Sequence, residues 1–282
     1  MIRRPVLRYY GGKWRIAPWI IEHFPPHRVY VEPFGGAASV LMQKPRTPVE
    51  VYNDLFGDIV NVFRVLRDPK RAVELERLIR LTPFARAEYD DAHQSKRGGV
   101  KDSVELARRT LFRSLGGFGS AGLQRNSNAG FRRSTSYGKR YAVEWANFPQ
   151  HIRCFTERLQ GVIIENQSAE ETIHDHDWKE TLFYVDPPYP QGTRNMNHGN
   201  AHYVHDADDV DHRRLAALLH AVKGMVIISG YPCDLYDLEL YPDWKRVTRR
   251  NFSTGNGRKG VASPRTEVLW IKPGSERKGL FG

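Results

Sequence analysis

Short β-prone apolar runs alternate with stretches of helical spacing along the first 66 positions of this 282-residue chain. Val29-Tyr30-Val31 predicts a strand ending in Glu32-Pro33-Phe34-Gly35-Gly36, and the small residues from Ala37 to Leu41 predict the opening of a helix. A second strand is expected over Val49–Asn53, before Leu55, Ile59, Val60, Phe63 and Leu66, whose spacing marks one face of a helix. From Arg67 to Gln160 the pattern changes. Helical stretches at 70–80, 84–93, 103–115 and 141–160 flank an irregular run from Gly116 to Arg140, rich in Gly, Ser, Asn and Arg. Strands return at Gly161–Glu165, Thr181–Val185 and Met225–Ser229, with a helix at Asp211–Val222, and 244–252 with 266–272 predict a closing antiparallel pair. Strand-helix alternation on both sides of a helical stretch predicts an α/β fold with a parallel sheet. That sheet draws on residues 1–66 and 161–282, and 67–160 form a mainly helical insertion.

Composition narrows the class. No window approaches ~18 consecutive apolar residues, which excludes a transmembrane helix, and the N-terminus MIRRPVLRYYGGK lacks the apolar run of a secretory signal. Only Cys154 and Cys233 occur, which excludes a disulfide scaffold or a Cys-rich zinc module. The expectation is a soluble protein of a reducing compartment. Charge is distributed unevenly. Between Gln94 and Arg140 eleven basic residues face only Asp102 and Glu105, a net of +9, and Lys245–Gly282 carries +8. Clustered positive charge is what counterion release from a polyphosphate requires, so nucleic acid is the expected partner.

Three motifs carry the chemistry. Tyr184-Val185-Asp186-Pro187-Pro188-Tyr189 closes a predicted strand. Two prolines stiffen the turn and leave it few conformers, which fixes an acid, a backbone carbonyl and a flat ring near one another. Such a site can accept both hydrogens of a planar amine while Tyr189 stacks on its heterocycle. In the second motif, Glu32 to Ser39, small residues after a strand let a ligand approach backbone amides. Asp54 follows 19 residues after Gly35, where nucleoside-binding α/β folds place an acid that bonds ribose hydroxyls; alone it also fits a helix N-cap. The third, Tyr9-Tyr10-Gly11-Gly12-Lys13, sets a lysine beside two glycines without the spacing of a P-loop.

The order of these motifs resembles the Dam-like DNA adenine methyltransferases, in which GGK is followed by EPFxG, a recognition domain and DPPY; RTEVLWIKP near the C-terminus also matches. The resemblance covers nearly the whole chain. It implies a class I methyltransferase (Rossmann-like) sheet, mostly parallel, with an inserted helical target-recognition domain. It implies S-adenosyl-L-methionine as cofactor, no metal, DNA as partner, no membrane, and a cytoplasmic protein of prokaryotic or phage origin. It assigns Tyr9, Lys13, Glu32, Pro33, Phe34, Gly36, Asp54 and Asp186 to the cofactor, and Asp186, Pro187, Pro188 and Tyr189 to catalysis. Ala38 stands where relatives have glycine, and Ser168-Ala169 where many have Asp-Phe, beside an adenine pocket placed around Asn166 and Ser168. In the insertion, Arg113, Arg125, Asn126, Asn128, Arg132, Arg133 and Lys139 are the candidates for DNA contact.

The implied reaction moves a methyl from a sulfonium to an exocyclic amine, so the protein mainly supplies orientation and electrostatics. A carboxylate is too weak a base to deprotonate a neutral arylamine beforehand, but it stabilises positive charge developing on the nitrogen. His174, His176, His198, His202 and His205 lack the company of Cys or HExxH spacing and read as solvated loop histidines. A base stacked in a duplex cannot reach such a turn, so flipping is expected. The alternatives are a related enzyme acting on cytosine N4, RNA or a protein glutamine, and a non-catalytic DNA-binding relative.

Overall fold

The computed structural model describes residues 2–94, 100–117, 123, 130–133, 140–190, 207–253 and 263–276. Seven strands lie among them: β1 (Val29–Glu32), β2 (Val49–Asn53), β3 (Val162–Glu165), β4 (Thr181–Val185), β5 (Met225–Gly230), β6 (Lys245–Ser253) and β7 (Ser263–Ile271). They form one sheet in the order β3-β2-β1-β4-β5-β7-β6. The five strands from β3 to β5 are parallel, β7 runs antiparallel to β5, and β6 pairs antiparallel with β7. This is the class I methyltransferase arrangement.

Period-2 alternation with both faces covered explains the strands. Tyr30, Tyr52, Leu182, Tyr184, Ile227, Leu269 and Ile271 enter one core cluster, whereas Val31, Val51, Phe183, Val185, Val226, Ile228, Val268 and Trp270 enter the other. Apolar residues on both sides of each strand are what a parallel sheet sandwiched between helices demands. The first face is covered by α1 (Ala17–Glu22), α2 (Gly57–Arg67) and, among the described residues, five α-helices between α2 and β3. These are α3 (Pro69–Leu81), α4 (Arg86–Gln94), α5 (Ser103–Gly116), α6 (Tyr141–Ala146) and α7 (Ile152–Leu159). They share a single apolar cluster with the sheet, so this helical segment is packed onto α2 through Leu75, Ile79, Leu111, Phe112 and Phe155. Leu215, Ala216 and Leu219 of α9 (Asp209–Ala221) and Ile173 of α8 (Ala169–Asp175) cover the second face.

Helix boundaries follow local chemistry. Asp68 ends α2 in an extended conformation and caps α3, its carboxylate accepting from the amides of Lys70 and Arg71 with Pro69 in the first turn. Ser168 and Glu171 form a capping box on α8, and Asp208 and Asp211 do so on α9.

One expected element does not form. Ala37–Leu41 opens no helix, because Ala38 adopts a left-handed φ of 51° and the Leu41 amide donates to the Glu32 carboxylate at 2.7 Å. A left-handed residue cannot be part of a right-handed helix, and it strains any side chain larger than hydrogen.

Candidate active site

Strand order reverses between β1 and β4, and open α/β sheets bind ligands outside the carboxyl ends of the strands at such a point. Glu32 ends β1 and Asp186 directly follows β4, so two of the sequence motifs meet there. A cavity of about 260 Å³ opens at this reversal. It is lined by Tyr9, Lys13, Glu32, Pro33, Phe34, Gly36, Asp54, Asp186, Pro187 and Pro188, together with Ser39, Ser168 and residues of α9.

The glycine turn is held from three sides. The Gly36 amide donates to Asp54 Oδ2 at 2.8 Å, and the Tyr52 hydroxyl donates to the Gly36 carbonyl at 2.8 Å. A Cβ on Gly35 would lie 2.2 Å from the Tyr52 ring, so only glycine fits there. Gly36 has φ 49° and faces the ring of Tyr9, which brings the N-terminal motif over the turn. Asp54 Oδ1 also accepts from the Phe56 amide at 2.8 Å. Phe56, not Asp54, is the N-cap of α2, so Asp54 braces the turn as well as facing the cavity. Asn166 donates to the backbone carbonyls of Asp54 and Leu55 and supports that loop from behind, while Ser168 reaches the cavity wall.

Electrostatics concentrate around Lys13, which is 5% exposed. Its ammonium lies 3.0 Å from Asp186 Oδ1 and donates to the Gly11 carbonyl at 2.9 Å. Burial works against its charge, but Asp186 and then Glu267 more than offset that, and its pKa is raised. Ser229 Oγ donates to the same Asp186 oxygen at 2.9 Å, and the Tyr184 hydroxyl lies 2.9 Å from Ser229 Oγ. Ser229 has one proton and spends it on Asp186, so Tyr184 is the donor in that second bond. Both contacts fall on Oδ1. Among the described residues, Oδ2 has no protein partner.

Glu32 is buried and accepts from the Tyr30 hydroxyl at 2.6 Å as well as from Leu41. Burial pushes its pKa up to about 7 despite those two bonds. Tyr189 sits beside this cavity rather than in its wall. Its ring lies under the Lys13 ammonium at 4.7 Å and edge-on to Tyr231 at 4.6 Å. Its hydroxyl points to Glu267 Oε2 at 3.4 Å.

Ser229, Tyr231 and Glu267 were not singled out from the sequence. Ser229 and Tyr231 flank the end of β5, and Glu267 lies in the middle of β7, next to Val268, which pairs with Gly230. One polar residue in an alternating strand reads as ordinary, and the partners lie 43 and 78 positions away. The signal available was the match of RTEVLWIKP, in which Glu267 is the acid.

The basic insertion requires a correction. Arg113 is fully buried, with Nη2 2.6 Å from Asp58 Oδ2 and 3.1 Å from Thr110 Oγ1. It clamps α5 onto α2 and presents nothing to a DNA surface. Arg132 is half-buried: its Nε donates to the Gly117 carbonyl at 2.5 Å and its guanidinium lies over Tyr141 at 4.8 Å. Arg133 is exposed. Arg125, Asn126, Asn128 and Lys139, and likewise His198, His202 and His205, lie outside the described residues. Among the described residues, no group of three or more His, Cys, Asp or Glu is placed to hold a metal, and no helix is long and apolar enough to cross a membrane.

A parallel sheet with an antiparallel β7, a glycine turn after β1, an acid after β2 and Asp-Pro-Pro-Tyr after β4 together define an amino-methyltransferase type of site. The model of the D12 class N6 adenine-specific DNA methyltransferases matches residues 9–245, and the chain belongs to that family. It is 29% identical over 191 residues to a DNA adenine methylase of Vibrio cholerae, an alignment spanning 66% of this chain and 65% of that relative's length. It is 26% identical over 255 residues to the DNA adenine methylase of Serratia marcescens, spanning 86% of each chain. Over 266 residues it is 24% identical to that of Salmonella typhi, spanning 90% of this chain and 91% of that relative.

Proposed function

We propose that this chain is a DNA adenine methyltransferase that moves a methyl group from S-adenosyl-L-methionine to N6 of an adenine swung out of the duplex. One observation carries the reading. Asp186 sits at the cavity mouth with Oδ1 held by Lys13 and Ser229, and with Oδ2 open among the described residues.

The cavity fits the cofactor. Ser39 Oγ is buried at its wall with no hydrogen-bond partner among the described residues, an orphan that a polar ligand would satisfy. Asp54 would accept from ribose hydroxyls, the Gly36 turn would sit under the methionine portion, and Asp186 would lie near the positive sulfur. When bound, the sulfonium supplies an activated methyl with a good leaving group.

The rest is done by this chain's residues. The exocyclic amine is a poor nucleophile because its lone pair is conjugated into the ring. Hydrogen bonds from its two N–H groups to Asp186 Oδ2 and the Pro187 carbonyl draw it towards tetrahedral geometry. Asp186 then stabilises the positive charge that develops on nitrogen, and the methylated amine sheds one N–H proton to solvent to leave the neutral product. Lys13 and Ser229 keep the carboxylate in one orientation throughout. The prolines make that turn rigid, so little reorganisation accompanies the reaction.

DNA is held by phosphate contacts from the basic helical segment between α2 and β3, with base flipping costing a few kcal/mol. A cytoplasmic location, where DNA and cofactor are both available, accords with this. The test supplies S-adenosyl-L-methionine with a labelled methyl to duplex DNA, RNA and a mixed protein substrate, followed by nucleoside mass spectrometry. Label in N6-methyl-deoxyadenosine is expected. Label in N4-methyl-deoxycytidine or in RNA would reassign the substrate, and DNA binding without label would reassign the class.

A further inference from the structure

Glu267 is a buried acid that the mechanism above does not use. It is 6% exposed, and its one recorded hydrogen bond among the described residues is a long one, 3.4 Å from the Tyr189 hydroxyl. Burying a carboxylate with so little compensation costs stability, so folding alone gives no reason for it. A glutamine or an apolar residue would pack the same strand at lower cost.

Its surroundings point elsewhere. Because β7 runs antiparallel to β5, with Val268 opposite Gly230, Glu267 is brought to the end of the sheet where β4 releases Asp186. There Glu267 touches Tyr189, whose ring is covered on one face by the Lys13 ammonium at 4.7 Å. Lys13 in turn contacts Asp186 at 3.0 Å. Lys13 therefore contacts one acid, Asp186, directly, and is also attracted by the charge of Glu267, which holds the hydroxyl of the ring beneath it.

We propose that Glu267 is a positioning residue for the acceptor turn, holding the Tyr189 ring through its hydroxyl and adding its charge to that of Asp186 in attracting the Lys13 ammonium. This rests on the methyl-transfer reading of the same site. With Glu267 in place the ammonium is attracted by both acids, and its hold on Asp186 Oδ1 leaves Oδ2 directed at the amine. With its charge removed, Lys13 collapses onto Asp186 and competes with the amine for that carboxylate. Burial raises the pKa of Glu267, Lys13 opposes that rise, and Asp186 adds to it, which agrees with a charge balance shared by all three.

The experiment uses the full chain and two variants, Glu267→Gln and Glu267→Asp. Gln keeps the shape and an acceptor for Tyr189 but removes the charge; Asp keeps the charge at a shorter reach. Glu267→Gln is expected to lower kcat on DNA by about 10–100-fold, while the KM for S-adenosyl-L-methionine changes by less than about 3-fold. Glu267→Asp is expected to recover part of that kcat. A readout independent of turnover is the Lys13 side-chain signal in ¹³C-lysine NMR, whose titration midpoint is expected to fall in Glu267→Gln. The groups facing Lys13 in that titration are Asp186, Glu267, Tyr231 and the Tyr189 ring. Parental kcat in Glu267→Gln, a loss confined to cofactor KM, or an unmoved Lys13 titration would each overturn the proposal. A parent that transfers no methyl would sink the reading of the site instead, and the Lys13 titration would still decide the link to Glu267.

Discussion

The Lys13 ammonium lies 3.0 Å from Asp186 Oδ1, joining the N-terminal GGK motif to the DPPY turn 173 positions later in the chain. The contact is enclosed on the lysine side, at 5% side-chain exposure, and open on the aspartate side, at 20%. An ion pair with one open oxygen suits a carboxylate that must hold one orientation and still accept a hydrogen bond from a neutral amine.

Asp186→Ala should therefore abolish methylation, by about 10³-fold or more, since the charge-stabilising acceptor is lost. The variant should lose some stability, because the buried Lys13 ammonium loses its nearest acid, but Asp186 is outside the apolar core, so the chain should remain folded and bind duplex DNA. Methyl incorporation and a gel-shift titration on the same preparation check this. Residual turnover within about 10-fold of the parent would remove Asp186 from the reaction.

Asp54 has two tasks, and its substitution should show both. Its carboxylate holds the amides of Gly36 and Phe56 and faces the cavity. Asp54→Ala should weaken cofactor binding about 10-fold or more, the range expected for a hydrogen bond to a charged group, and lower DNA affinity much less. Asp54→Asn, which keeps one acceptor oxygen, should fall between. Calorimetric titration with S-adenosyl-L-methionine decides it; unchanged affinity in Asp54→Ala would leave only the bracing role.

Glu32 gives a pH prediction with a definite sign. Its pKa is raised from the ordinary 4.5 to about 7, first because it is buried. Below about pH 4.5 it is protonated whether the chain is folded or not, and its burial carries no charge penalty. Between 4.5 and 7 the unfolded chain releases the proton and the folded one keeps it, so stability is lost as pH rises. Above 7 the full cost is present, about 3 kcal/mol at ~1.4 kcal/mol per unit. Urea unfolding of the parent and of Glu32→Gln across pH 4–8 should give curves that diverge with rising pH, the variant losing less stability. Parallel curves would show that the ionised Glu32 is stabilised by something besides Tyr30 and Leu41.

Glu32, Asp54 and Asp186 were legible because each sits at a strand end, where local pattern and position in the fold coincide. All three follow β-prone runs, and a parallel sheet gathers the ends of such runs on one edge. The motif marks Tyr189 as a candidate ring but does not give its orientation. Whether it faces the cavity or the β7 side depends on Tyr231 and Glu267, which only the antiparallel strand brings near. Arg113 was misread for the opposite reason. Its charge was counted with its neighbours, but the helix is buried from Thr110 to Gly116, and Asp58, 55 positions earlier, neutralises it. The turn at Ala38 turned on a backbone conformation that small residues permit and composition does not specify.

Arg132 and Arg133 separate in the same way, and this leads to a prediction about DNA. Arg132 ties down the segment by its own backbone amide to the Gly116 carbonyl at 2.8 Å, its Nε to Gly117, and its guanidinium over Tyr141. Arg132→Ala should thus lower the unfolding temperature, and affect DNA only as far as the segment loosens. Arg133 is exposed beside it, on a stretch whose net charge is strongly positive. If it neutralises one phosphate, Arg133→Ala should weaken binding to all duplexes alike and reduce the slope of log affinity against log salt by roughly 0.9. A base contact would behave differently, costing about 1–3 kcal/mol on a preferred site and little on random DNA. Fluorescence anisotropy at several salt concentrations, on duplexes with and without a methylatable site, separates these outcomes. An Arg133→Ala slope and affinity equal to the parent's on every duplex would put this side chain outside the DNA interface and move the phosphate contacts elsewhere on the basic surface.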